Sequence, residues 1–106
     1  MDCALRNLGT SNLQVHPVGI GCWSFGGGGY WGSQSQSEVD RVVHTALDIS
    51  TFLFDTAEVY NEGESERSLG IALKGRRHEA VIATKVSPMN TKPDVLRYHC
   101  EASLSR

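Results

Sequence analysis

The chain has 106 residues, the length of one small domain. Ten Lys and Arg against twelve Asp and Glu give a formal charge of −2, which lacks the basic excess of a nucleic-acid or acidic-membrane binder. With 40% hydrophobic and 21% charged residues it is composed as a folded chain, and no apolar run reaches the roughly 18 residues of a membrane helix.

Met1 to Arg6 carry neither a basic stretch nor a long apolar one, so no secretory signal is expected. Cys3, Cys22 and Cys100 are odd in number, far apart and in no metal-ligand spacing. They read as reduced thiols in a cytoplasmic compartment, with no metal site. Leu5, Leu8, Leu13 and Val15 around Gly9-Thr10-Ser11-Asn12 predict a hairpin, which Pro17 ends. Val18 to Cys22 then reads as a short buried strand running into a glycine-rich loop.

Seven of the eleven glycines fall between Gly19 and Gly32, so that stretch needs free backbone. Gly27-Gly28-Gly29-Tyr30-Trp31-Gly32 satisfies G-x-G-x-x-G, but a dinucleotide fingerprint also needs the helix to open on its third glycine. Ser33 to Ser37 intervene here. The loop is therefore expected to turn the chain over a sheet edge. Tyr30 and Trp31 are candidate substrate-facing aromatics, with ordinary loop packing as their alternative.

Ser35-Gln36-Ser37-Glu38 fits a capping box, and Val39, Val42, Val43, Ala46 and Leu47 behind it form a helical apolar stripe. Thr51 to Asp55 is a β-branched and aromatic run of strand length. A polar loop, Glu58 to Glu64, leads to a second helix with Leu69, Ala72 and Leu73 inward, stopping near Gly75. Ala80 to Val86 reads as a continuous buried strand. Pro93 suits the first turn of a third helix, on which Leu96, Cys100 and Leu104 share a face. No capping residue follows Arg106, an ending expected of a cut domain.

A hairpin followed by βαβαβα, with strand starts near 18, 51 and 80, predicts an α/β fold with a parallel sheet. Functional groups in such folds gather where strands end and helices begin. Gly21-Cys22-Trp23, Asp55-Thr56 and Lys85 end the three strands, and Tyr60 lies in the loop beyond Asp55. A phenol near pKa 10 is a poor acid at neutral pH. An ammonium beside it favours phenolate, and a carboxylate holds that ammonium charged and oriented. Each residue also has a plain reading: Asp55 as a loop cap, Tyr60 as a half-buried wall, Lys85 as a snorkelling surface residue.

Phe54-Asp55-Thr56-Ala57-Glu58-Val59-Tyr60, Gly63-Glu64-Ser65-Glu66 and Ala83-Thr84-Lys85-Val86 closely resemble the aldo-keto reductases. The likeness extends to Leu8-Gly9-Thr10-Ser11, to Val18-Gly19-Ile20-Gly21 with Trp23, and to Leu69-Gly70-Ile71-Ala72-Leu73. The resemblance implies a (β/α)8 TIM barrel, of which residues 1–106 would be the N-terminal hairpin and the first three βα units. It implies reduction of a small aldehyde or ketone with NADP(H), without nucleic acid or membrane partners. It places the catalytic Asp, Tyr and Lys on Asp55, Tyr60 and Lys85. Cofactor contacts fall on Gly21, Cys22, Trp23 and Asp55, and substrate contacts on Trp23, with Tyr30 and Trp31 beside it.

Three departures stand out. Ser50-Thr51-Phe52 replaces the family's usual Gly-Ile-Asn type of turn. Asn61 stands where a Gly often follows the tyrosine, a place that Asn can fill in the left-handed region. The family's catalytic histidine, after the next strand, has no counterpart; His16, His44, His78 and His99 read as surface or helix positions. The chain alone is therefore expected to be inactive. The rival readings are a non-catalytic NADP-binding or regulatory module similar to channel β-subunits, and a truncated product without independent function.

Overall fold

A computed structural model describes residues 4–106. Cys3, one of the expected free thiols, lies outside the described residues; Cys22 and Cys100 are free. The hairpin forms as expected. Strands β1 (Arg6–Asn7) and β2 (Gln14–Val15) pair antiparallel, and Leu8 N donates to the Leu13 carbonyl at 2.8 Å across the turn.

The main sheet has the order β3 (Ile20–Gly21), β4 (Leu53–Asp55), β5 (Val81–Ala83), all parallel, with Gly21 opposite Asp55 and Asp55 opposite Ala83. Helices α1 (Gln36–Asp48) and α2 (Glu64–Ala72) make the two crossovers. They bury Val39, Val43, Leu47, Leu69 and Leu73 against Phe54 in one core. The capping box is present: Glu38 N donates to Ser35 Oγ, and Ser35 N donates to Glu38 Oε2 at 3.0 Å. Val42, expected inward, is exposed, because it sits on the flank of a stripe centred on Val39, Val43 and Ala46.

Two further expectations are corrected, the first being a buried strand over Val18 to Cys22: the strand is Ile20–Gly21, and Val18, Gly19 and Gly21 are exposed. Ala80 to Val86 is not a continuous buried strand: the regular strand ends at Ala83, and Ala83, Thr84 and Lys85 are exposed. Among the described residues β5 has no strand on its outer side, so hydropathy there does not translate into burial. Helix α3 (Pro93–Ser105) begins with Pro93 in its first turn, but none of its residues is buried, and Leu104 is 80% exposed. Polar contacts hold it instead. Arg106 Nε donates to Glu66 Oε2 at 2.6 Å, and His99 Nδ1 to Glu58 Oε2 at 2.8 Å.

Candidate active site

Because β3, β4 and β5 are parallel and in register, their C-terminal ends form one edge. Beyond the strands the backbone stays paired: Thr56 N donates to the Ala83 carbonyl, and Glu58 N to the Lys85 carbonyl. This brings Asp55, Tyr60 and Lys85 together. Lys85 Nζ donates to Asp55 Oδ1 at 2.8 Å and to the Thr56 carbonyl at 2.5 Å. The same ammonium lies 4.8 Å from the centroid of the Tyr60 ring. Burial pulls the Lys85 pKa down, but hydrogen bonds and charge interactions with Asp55 and Tyr60 outweigh it, so the net shift is upward. The ammonium is kept charged beside a phenol, the arrangement a proton-donating tyrosine needs.

The pair is open to water, with side-chain exposures of 49% for Lys85 and 58% for Asp55. Gly21 is exposed in register with Asp55, and a Cβ there would have no heavy atom within 4 Å. Cys22 turns the other way. Its side chain lies in the core and its pKa is pushed up to about 12, by burial first and then by the Asp55 charge, so only its backbone can reach a ligand. That backbone is fixed from behind: Ser65 Oγ donates to the Cys22 carbonyl at 2.5 Å and shares a 2.8 Å hydrogen bond with Thr56 Oγ1.

Trp23 stands beside the trio as the centre of an aromatic wall. Tyr30 stacks on it at 5.2 Å and 9°, Trp31 meets it edge-on at 5.2 Å, and Tyr60 tilts against it at 6.0 Å. Trp23, Tyr30 and Trp31 are all exposed. The wall rests on Asn61, whose Nδ2 donates to the carbonyls of Trp23 and Phe25, both at 2.8 Å.

Glu58 was not singled out by its sequence position. Its side chain is only 5% exposed and accepts from Ser87 N at 2.7 Å, Asn90 Nδ2 at 2.9 Å and His99 Nδ1 at 2.8 Å. Burial raises its pKa, but the bonds from Ser87, Asn90 and His99 outweigh that and hold it below the ordinary carboxylate range. It ties the loop carrying Tyr60 to the segment just past Lys85. His99 is thus a helix position with a buried partner rather than a plain surface group. The other histidines lie elsewhere: His16 bonds to Val18, His44 Nε2 donates to the Ala72 carbonyl, and His78 is in the turn Arg77–Glu79.

Among the described residues, no cluster of three or more His, Cys, Asp or Glu could hold a metal, and no helix is long and apolar enough to cross a membrane.

A sequence model of the aldo/keto reductase family matches residues 17–106. An uncharacterized oxidoreductase of Mycobacterium tuberculosis is 40% identical over 95 residues, covering 88% of this chain and 29% of that one. The chloroplastic pyridoxal reductase of Arabidopsis thaliana is 35% identical over 108 residues, covering 89% of this chain and 30% of its own length. Among solved structures, a thermostable aldo-keto reductase in complex with the inhibitor epalrestat superposes with a TM-score of 0.83 at 29% identity, over 96% of this chain and 38% of that one. An aldo-keto reductase of Klebsiella pneumoniae in complex with NADPH superposes with a TM-score of 0.73 at 28% identity, over 87% of this chain and 31% of that one. The chain thus spans less than a third of the length of the curated relatives it matches.

Proposed function

The chain belongs to the aldo/keto reductase family, and from that premise we propose that it carries the proton-donating part of an NADP(H)-dependent carbonyl reductase. The observation that carries this reading is Lys85, bonded to Asp55 and set against the Tyr60 ring at one sheet edge. Tyr60 gives its phenolic proton to the carbonyl oxygen of an aldehyde or ketone. Lys85 stabilises the phenolate that remains, and Asp55 holds Lys85 charged and aimed. Trp23, Tyr30 and Trp31 form the substrate wall. The free thiols Cys22 and Cys100 suit a cytoplasmic setting.

The nicotinamide end of NADP(H) fits this edge. Gly21 offers bare backbone in register with Asp55, with open space where a side chain would stand. Lys85 is already paired with Asp55 and bonded to the Thr56 carbonyl, so the trio offers a phosphate no unpaired cation. Gly21, the Cys22 backbone, Trp23 and Asp55 would border the ring. When bound, the reduced ring supplies hydride to the carbonyl carbon. Everything else above is done by the chain's own side chains.

In residues 1–106 by themselves the machinery stands in water, where an ammonium is screened and supports a phenolate weakly. Holding reactants in line supplies roughly 7–11 kcal/mol of a barrier, and a sheet of three strands with an open edge gives little such hold. The test is an absorbance assay of NADPH oxidation at saturating aldehyde, run on two proteins. One is the 106-residue chain. The other is a chimera in which the chain replaces the matching segment of the Mycobacterium tuberculosis oxidoreductase. The expected result is turnover by the chimera alone. A folded chimera that binds NADPH without turnover would favour a non-catalytic binding module.

A further inference from the structure

The concentration of glycine between Gly19 and Gly32 acquires a reason from what the loop lies on. A Cβ on Gly28 would stand 2.5 Å from Asn61 Oδ1, and one on Gly26 would stand 2.7 Å from Glu64 Cβ. The loop is pressed flat onto the turn that follows Tyr60, an approach only bare backbone permits. That turn is unusual in itself. Asn61, Glu62 and Gly63 are all left-handed, with φ of 51°, 56° and 89°. For two residues with side chains this is a costly conformation, which Asn tolerates better than most. Such backbone is kept where its surroundings over-determine it. Here the surroundings are two hydrogen bonds from Asn61 Nδ2, to the Trp23 and Phe25 carbonyls.

The amide joins the residue after Tyr60 to the backbone of Trp23 itself. Trp23 in turn carries Tyr30, Trp31 and the tilted Tyr60 ring. We propose that Asn61 is a positioning residue, which registers the Tyr60 ring against the Trp23–Tyr30–Trp31 wall and so sets where a carbonyl substrate meets its proton donor. The inference rests on the reading of Tyr60 as the acid and deepens it, by naming what holds acid and wall in one frame. A role in the turn alone makes the opposite forecast. Glycine takes the left-handed conformation without a Cβ penalty, so a plain turn accepts Asn61→Gly readily.

Both tryptophans of the chain belong to this wall, so the tryptophan band of the near-ultraviolet circular dichroism spectrum reports on it alone. The experiment compares three variants of the 106-residue protein. Asn61→Gly keeps the left-handed backbone and removes both hydrogen bonds. Asn61→Asp keeps the shape and offers the two carbonyls no donor. Glu62→Gly relieves the neighbouring residue and leaves the amide in place. The expected result is loss of the band in both Asn61 variants, with the far-ultraviolet spectrum unchanged, and retention in Glu62→Gly. Retention of the band in Asn61→Gly overturns the proposal, and so does its loss in Glu62→Gly. Should the Asn61 variants fail to fold, the wild-type protein decides. Its Asn61 side-chain amide protons exchange slowly with solvent if both carbonyls accept from them, and exchange at the free-amide rate overturns the proposal. Neither readout uses turnover, so a failure of the acid assignment and a failure of this latch are separate results.

Discussion

Lys85 and Asp55 meet across two neighbouring strand ends, Nζ to Oδ1 at 2.8 Å, although 30 residues separate them in the chain. The contact follows from parallel register. Asp55 closes β4, the chain returns through α2, and the exit of β5 delivers Lys85 to the same edge.

Removing that carboxylate shifts the lysine. In Asp55→Asn the Lys85 pKa falls, because the raised value depends on bonds and charge from Asp55 and Tyr60 working against burial. The pair's contribution to stability is fully present below the unfolded lysine value and is lost as pH rises through the higher folded one. Both partners are half exposed, so that contribution stays below about 1 kcal/mol. Titration of the Lys85 side-chain carbons by NMR checks the shift. An unchanged midpoint in Asp55→Asn would show that the carboxylate does not hold the ammonium.

Glu58 carries a larger structural load. Glu58→Ala leaves the Ser87 N–H, the Asn90 amide and the His99 imidazole without their acceptor, at a cost of about 1–3 kcal/mol. The folded pKa of Glu58 is depressed, so its stabilisation is present above the ordinary value of 4.5 and disappears as pH falls through the lower folded value. Urea unfolding of wild type and Glu58→Ala across this acid range reads both effects. Curves that stay equally far apart at every pH would contradict the linkage.

Ser50 sits at φ 62° in the turn leading to β4, with no side-chain hydrogen bond among those described to compensate it. Ser50→Gly relieves a left-handed penalty of about 1–2 kcal/mol and gives part of it back through the unfolded chain's greater freedom. A net gain of about 0.5–1 kcal/mol is expected, seen as a higher urea midpoint. A lower midpoint would show that the Ser50 side chain has a role its surroundings do not reveal.

These cases show which features the chain discloses locally. The start of α1 was legible because Ser35 and Glu38 answer each other within one turn. The strand-end trio was legible because parallel topology converts three sequence positions into one edge. Ala80 to Val86 misled because burial depends on what lies opposite, and β5 has little there. Glu58 with His99, and the Asn61 amide on the Trp23 and Phe25 carbonyls, span 41, 38 and 36 residues of chain. No local pattern announces a contact of that span. Asn61 gave half a signal: its type suits a left-handed turn, but nothing in the sequence shows where its side chain goes.

Kinetics of Tyr60→Phe in the chimera test the central claim most directly. The substitution removes the phenolic proton and leaves the ring that packs on Trp23. The expected outcome is a fall in kcat of about 10²–10⁴-fold, the range of a general acid, with NADPH affinity by fluorescence titration unchanged. Turnover close to that of the unsubstituted chimera, with NADPH still bound, would mean that another group protonates the carbonyl and that the Asp55–Lys85–Tyr60 arrangement is not the acid.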